Sequence, residues 1–322
     1  MSAAKPDHLS LQQAAHWYAR LRADPSDPHT RQEWQQWHGQ SDVHRQAWLY
    51  VERISQRFEP LQADGEGALQ TLRGARRSLD SRRQVLRGLA TLSGVALLGW
   101  LGWRHGGLPD LIAAWRADYH SAVGEVREVQ LVDGTRVWLN SGSALNVDYR
   151  DDMRLLRLIQ GEVLIETAQD PRPLLVETLE GNLRPLGTRF SVLQQDGRTR
   201  LSVFAGSVQA RSRHSAATAI ARAGQQLDFD DQAIGAPSAV AQARQSWSKG
   251  VLLADDMPLG AFVQELAHYR HGHLAVAPEV ADLRVVGSYP LHDSDQALAM
   301  LEGVLPIRVK RLLPWWVTLE PR

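Results

Sequence analysis

Hydrophobic positions change their period along this chain. In the first sixty residues they recur every three or four: Ala14, Trp17, Tyr18 and Leu21, then Trp34 and Trp37, then Val43, Ala47, Val51, Ile54 and Phe58. That spacing predicts three short helices. Ser10 with Gln13 reads as a capping box for a helix from Leu11 to about Ala23, which Asp24-Pro25 ends. Asp27, followed by Pro28, caps the second helix, and Asp42 caps the third. Polar residues with Gly65, Gly67 and Gly74 follow, as in a tether. From Val126 the pattern becomes short apolar runs closed by turn residues: Asp133-Gly134, Gln160-Gly161, Asp196-Gly197 and Ala205-Gly206. These runs, which include Leu155 to Ile159 and Val163 to Ile165, predict a sandwich or twisted roll of short strands. After Ser248 strands and helices alternate. Asp256 and Pro258 open a helix bearing Leu259, Phe262, Val263 and Leu266, Ser294 caps another through Glu302, and strands surround both, giving an α+β module.

One stretch fits none of these. Gly88 to Trp103 carries no charge; as a helix it spans about 24 Å, against about 30 Å for a hydrocarbon core. Arg87 and Arg104 can extend it by snorkelling, with Trp100 and Trp103 at the far interface. A buried helix of a globular domain is the competing reading, but Arg73, Arg76, Arg77, Arg82, Arg83 and Arg87 on one flank serve no core helix. The same flank predicts a cytoplasmic N-terminus, and Ser81-Arg82-Arg83-Gln84-Val85-Leu86-Arg87 resembles a twin-arginine export motif. The expectation is a multi-domain chain: a helical bundle at 1–60, a basic tether at 61–83, a transmembrane helix at 84–104, a spacer at 105–118, an all-β domain at 119–247 and an α+β domain at 248–322. Its placement would be a bacterial inner membrane, crossed once, with the C-terminus in the periplasm.

Composition narrows the function. Basic and acidic side chains number 36 each, so no overall field points to nucleic acid. The helical module is also balanced, with seven of each sign in residues 1–60, whereas a reader of phosphates needs a basic stripe. There is no cysteine among the 322 residues, which removes thiol nucleophiles and cysteine metal sites. Trp17, Trp34, Trp37 and Trp48 crowd a module too small to bury four indoles completely, so at least one rests on a groove or partner.

The order of these parts resembles the FecR family of transmembrane anti-sigma regulators. Ala14-Ala15-His16-Trp17-Tyr18-Ala19-Arg20-Leu21, Trp34-Gln35-Gln36-Trp37 and His44-Arg45-Gln46-Ala47-Trp48 are similar to the family's sigma-binding domain. Asp133-Gly134-Thr135-Arg136-Val137-Trp138-Leu139-Asn140-Ser141-Gly142-Ser143, Gly161-Glu162-Val163 and Leu186-Gly187-Thr188-Arg189-Phe190-Ser191-Val192 are similar to its signature. The tail is similar to the short N-terminal domain of secretins and TonB-dependent receptors. The resemblance implies an extracytoplasmic-function sigma factor held through Trp17, Trp34, Trp37 and Trp48. It also implies the signalling domain of an outer-membrane iron-siderophore receptor as a partner, and release by intramembrane and periplasmic proteases. Gly88, Gly94, Gly99 and Gly102 weaken the expected span as a helix.

Covalent chemistry is expected at one bond. By resemblance, the Thr188 hydroxyl attacks the Gly187 carbonyl in a self-cleaving acyl shift. His268, His271 and His273 follow a helix end where solvated histidines suit the dipole, so no metal is expected there, and no cofactor is implied. No Gly-x-Ser-x-Gly, His-Glu-x-x-His, phosphate-binding loop or dinucleotide fingerprint occurs. Two alternatives differ in class: an anchored periplasmic hydrolase with Thr188 as nucleophile, and a structural envelope protein.

Overall fold

The computed structural model describes residues 7–23, 27–63, 116–215 and 217–322. The helical module is α1 (His8–Ala23), α2 (Pro28–Gln40) and α3 (Asp42–Ala63). A cap is the residue just outside the helix whose side chain reaches the amide three positions on. For α1 that residue is Asp7, whose Oδ1 accepts from Ser10 N at 2.8 Å, so the helix begins before the expected Leu11. Asp27 caps α2 as expected, accepting from His29 N and Thr30 N. Ser41 and not Asp42 caps α3, its Oγ accepting from His44 N at 3.1 Å.

Among the described residues no helix is long and apolar enough to cross a membrane. This overturns the expected architecture with a single transmembrane helix, and with it the single-pass inner-membrane placement. The longest described helix, α3, has 22 residues and is amphipathic, carrying Asp42, Arg45, Glu52 and Arg53. The expected span at 84–104, with Gly88, Gly94, Gly99, Gly102, Trp100 and Trp103, and the expected export arginines Arg82 and Arg83 lie outside the described residues. Moreover, Ala14, Ala15, Trp37, Ala47 and Val51 of the bundle share one apolar cluster with Trp315 and Trp316 near the C-terminus, which separation across a membrane would forbid.

The strand-rich region runs β1 (Tyr119–His120), β2 (Arg127–Gln130), β3 (Arg136–Leu139), β4 (Ala144–Tyr149), β5 (Arg154–Glu166), β6 (Leu174–Glu177), β7 (Gly181–Pro185), β8 (Arg189–Gln195), β9 (Arg198–Ala205), β10 (Ser207–Ser212), β11 (Thr218–Arg222), β12 (Gln225–Phe229) and β13 (Ser238–Ala239). The break expected at Gln160-Gly161 is instead the interior of the 13-residue β5. Its first half pairs with β4 and, in parallel, with β6, and its second half pairs with β3 and β8. Two layers therefore share this strand: β1-β4-β5-β6-β7-β10-β11 and β2-β3-β5-β8-β9-β12-β13. Leu156, Leu158, Val176 and Leu183 from one layer meet Val163, Ile165, Phe190 and Leu201 from the other in one core.

Gly161 makes the crossing possible. Its φ is +84°, and a Cβ there would fall on Ser143, with that residue's Cα 2.8 Å and Cβ 2.9 Å away. Only glycine meets both demands. Ser143 Oγ donates to Glu162 O and accepts from Glu162 N, both at 2.9 Å, which fixes the strand just past the bend. The Asp133-Gly134 turn is closed by Leu131 N donating to Thr135 O at 2.9 Å. Its buried Asp133 carboxylate takes Arg154 Nη1 at 2.6 Å. Burial opposes ionisation of Asp133, but hydrogen bonds from Thr135 and Arg154 outweigh it and hold the carboxyl below its ordinary range.

A 3-10 helix, Gln242–Lys249, leads to the C-terminal module: β14 (Val251–Pro258), α4 (Leu259–Ala267), β15 (His273–Val276), β16 (Arg284–Pro290), α5 (Ser294–Val304), β17 (Ile307–Leu313) and β18 (Trp316–Pro321). Strand β14 pairs with β16, and β18 lies between β15 and β17. Asp293 caps α5 through Gln296 N, one residue before the expected Ser294. Trp138, Leu164 and Phe204 on the outer face of the second layer join Trp247, Phe262, Leu266 and Tyr289 in a second core. That seam holds the module against the β-domain.

Replacing Gly161 with alanine should cost about 2 kcal/mol or more, from the left-handed φ and the overlap with Ser143 together. Urea unfolding followed by tryptophan fluorescence would show this as a lower midpoint. An unchanged midpoint would mean that the bend tolerates a side chain.

Candidate functional site

The four tryptophans of the bundle are not equivalent. Trp37 is buried, donates from Nε1 to Gln13 Oε1 at 2.9 Å, and stacks on His44 with centroids 4.6 Å apart. It is core. Trp17, Trp34 and Trp48 are half-buried. Trp34 and Trp48 lie 4.9 Å apart by centroid, and the Arg20 guanidinium sits 4.8 Å above the Trp17 ring. Elsewhere on the bundle Leu9 and Leu49 are exposed, Leu49 by 54%, and the Tyr50 ring meets His273 edge-on at 5.9 Å. Tyr18 meets both Trp48 and Trp315 at 6.0 Å, and Gln12 Nε2 donates to Glu320 Oε1 at 2.8 Å. One groove for the bundle's aromatics is therefore the C-terminal hairpin, which helical periodicity alone does not reveal.

Gly187 and Thr188 form the entry to β8. Gly187 is exposed with φ +72°, and a Cβ there would meet nothing within 4 Å. Glycine is needed here for conformation and not for space. Thr188 is buried, and its Oγ1 has no hydrogen-bond partner. Thr167 brackets the residue: its Oγ1 accepts from Thr188 N at 2.8 Å, and its amide donates to Thr188 O at 3.0 Å. Thr167 carried no sequence signal, because the pairing depends on the β5–β8 register.

The histidines do not converge. His273 stacks on Trp316 with centroids 3.9 Å apart, whereas His268 gives its carbonyl to Ser141 Oγ at 2.5 Å. Among the described residues no group of three His, Cys, Asp or Glu side chains could hold a metal ion.

A further site was not anticipated. At the seam between the β-domain and the C-terminal module lies a cavity of about 330 Å³ bordered by Asn140, Glu162, Arg200, Arg244, Glu265 and Tyr269. Glu162 is 7% exposed; its Oε2 accepts from Asn140 Nδ2 at 2.8 Å, while Oε1 has no partner. Arg244 Nη1 donates to Glu265 at 3.3 Å, and its Nε is also buried and unpartnered. Burial pushes the Glu162 carboxyl above its ordinary range, against the opposing pull of Arg244 and Asn140. Burial likewise raises the Tyr269 phenol, with the Glu162 charge adding to it.

The direction of the Glu162 shift sets a pH dependence. The unfolded chain ionises this carboxyl above about pH 4.3, while the folded one holds its proton to a higher pH. Its contribution is therefore fully present at low pH and is lost as pH rises through the raised value. In melting experiments from about pH 4 to about pH 8, the Glu162→Gln variant should gain on the wild type steadily with rising pH. A constant difference between the two would show that Glu162 is not shifted upward.

Comparison with known proteins places these parts. Residues 117–209 match the FecR protein family, and residues 12–54 match a domain of unknown function, DUF4880. No curated protein matches the chain. Two crystal structures of a Parabacteroides distasonis protein, provisionally assigned as an anti-sigma factor, share the fold at TM-scores of 0.50 and 0.51 and 22% identity. Each alignment covers 63% of this chain and 98% of that one. The chain thus carries a DUF4880-like bundle ahead of a region similar to the FecR protein family.

Proposed function

We propose that this protein is an anti-sigma regulator whose helical bundle binds an extracytoplasmic-function sigma factor. The observation that carries the reading is the half-buried aromatic group Trp17, Trp34 and Trp48, with Leu9 and Leu49 exposed on the same bundle, which precedes the FecR-like region. Apolar side chains around partly covered indoles suit a protein partner, and the balanced charge of the module does not suit DNA. The similarity to a protein provisionally assigned as an anti-sigma factor supports the same reading. Val286, Met300 and Val304, exposed by 69, 40 and 72%, offer apolar surface on the C-terminal module for a further protein contact.

A second step belongs to the same reading: self-cleavage at Gly187-Thr188, favoured by the unpartnered Thr188 Oγ1. The hydroxyl oxygen bonds to the Gly187 carbonyl carbon, the C–N bond breaks, and the hydroxyl proton passes to the departing nitrogen. Water then hydrolyses the ester, leaving a Gly187 carboxylate and a Thr188 with a free amine and its hydroxyl restored. Thr167 Oγ1, 2.8 Å from that nitrogen, positions it. No external substrate is turned over.

Co-expression of the tagged full chain with candidate sigma factors tests the binding reading. One should co-purify, and Leu49→Asp should weaken the complex by tenfold or more without loss of helical circular dichroism; equal recovery with this variant would move the contact off the bundle. For cleavage, purified wild type should resolve into two bands under denaturing conditions at a rate independent of protein concentration. Thr188→Ala should stay whole and Thr167→Val should cleave more slowly. A wild-type protein that stays intact on prolonged incubation would end the acyl-shift reading.

A further inference from the structure

Strand β8 runs between β5 and β9, so the Gly187-Thr188 bond at its entry has a neighbour on each side. Thr167, just past the end of β5, brackets Thr188 from one side. On the other lies Gly206, between β9 and β10. Leu186 N donates to Ser207 O at 3.1 Å, and Arg189 pairs with Ala205, so the two stretches are joined both before and after the Gly187-Thr188 bond. Ala223 N donates to Gly206 O at 2.9 Å and anchors Gly206 further. The approach is close. A Cβ on Gly206 would overlap Gly187 O and stand 2.7 Å from Thr188 Cγ2. At Gly187 itself a Cβ would meet nothing, so of these two glycines Gly206 is the one that space demands. Thr188 carries its methyl and its hydroxyl on one carbon, and a β-branched side chain is stiff about χ1. A methyl seated against Gly206 therefore fixes the direction of Oγ1, which is buried without a hydrogen-bond partner.

We propose, resting on the self-cleavage reading, that Gly206 is a positioning residue for the Gly187-Thr188 bond: the space left by its missing side chain seats the Thr188 methyl and so aims the hydroxyl at the Gly187 carbonyl carbon. In that step the Oγ1–C bond forms, the C–N bond breaks and the hydroxyl proton passes to Thr188 N. The attack is made by a neighbour in the chain and needs no opening to solvent at Oγ1. Gly187, where water must arrive afterwards, is exposed. Gly206 acts through Thr188 and supplies no group to the chemistry. Its effect on rate can still be large, because a misplacement of about 1 Å at a reacting atom can cost about a hundredfold.

The full chain, made by cell-free synthesis and sampled over time under denaturing conditions, reads the cleavage rate directly. Wild type should cleave, and Gly206→Ala should cleave at least tenfold more slowly with an unchanged circular-dichroism spectrum. Thr188→Ser keeps a hydroxyl and removes the methyl. Its primary hydroxyl is the less hindered nucleophile, yet it should cleave at least fivefold more slowly, because nothing then holds it against Gly206. In the Thr188→Ser background, Gly206→Ala should slow cleavage by a factor at least threefold smaller than in the wild type, whereas a purely structural role would give the same factor in both. Gly206→Ala cleaving at the wild-type rate, or equal factors in the two backgrounds, would overturn the proposal and leave the self-cleavage reading standing. Should Gly206→Ala fail to fold, Thr188→Ser decides alone, and its cleaving as fast as wild type would overturn the role of Gly206. A wild type that stays whole would end the self-cleavage reading and the role of Gly206 with it.

Discussion

The fold depends on one strand being able to change layers. Strand β5 belongs to both sheets of the β-domain because Gly161 bends without a side chain against Ser143, whose hydroxyl then holds the backbone of the next residue from both sides. Remove that bend and the strand would continue in one layer, leaving β3 and β8 without the partner that joins them to the rest. Closure of a domain through one shared strand also explains why its core is single, with both layers contributing to one apolar cluster.

Past the bend, the two-residue period of a strand divides its side chains between two cores. Val163 and Ile165 enter the sandwich, while Leu164 between them enters the seam. Strand β3 repeats the division, with Val137 and Leu139 inside and Trp138 outside. A layer buried on both faces needs apolar residues at successive positions. The C-terminal module therefore packs on the sheet through side chains that would otherwise leave it wet, and the seam is continuous with the core of that module.

The same geometry places a carboxyl where none is expected to be comfortable. Glu162 follows the pivot directly, so its side chain is delivered to the seam by the backbone that closes the sandwich, and its burial follows from topology and not from its own preference. Asn140 and Arg244 offset part of the cost, Oε1 remains unsatisfied, and the neighbouring ion pairs are already balanced. At Asp133 the opposite balance holds: its side chain is also shielded from solvent but is engaged by Thr135 and Arg154, which hold the carboxyl below its ordinary range. Two buried acids thus differ because one is inside its own turn and the other lies between two modules.

Local chemistry determined much of the architecture. Helical spacing in the first sixty residues, the Asp27-Pro28 helix start, the Asp133-Gly134 turn and the strand-helix alternation after residue 248 could be read directly, because each is set by residues a few positions apart. The caps of α1, α3 and α5 lie three, one and one residues before the expected positions, since several polar side chains near a helix start compete to reach the same amide. Gln160-Gly161 read as a turn because a glycine with positive φ serves a hairpin and a bulged strand alike, and only the neighbouring Ser143 distinguishes them. The Trp315 contact with the bundle, the Thr167 bracket on Thr188 and the convergence of Glu162 with Arg244 join residues far apart in the chain. Those were decided by tertiary packing, because which distant side chains share a buried space is fixed by how whole sheets and helices meet and not by the order of residues within any one of them.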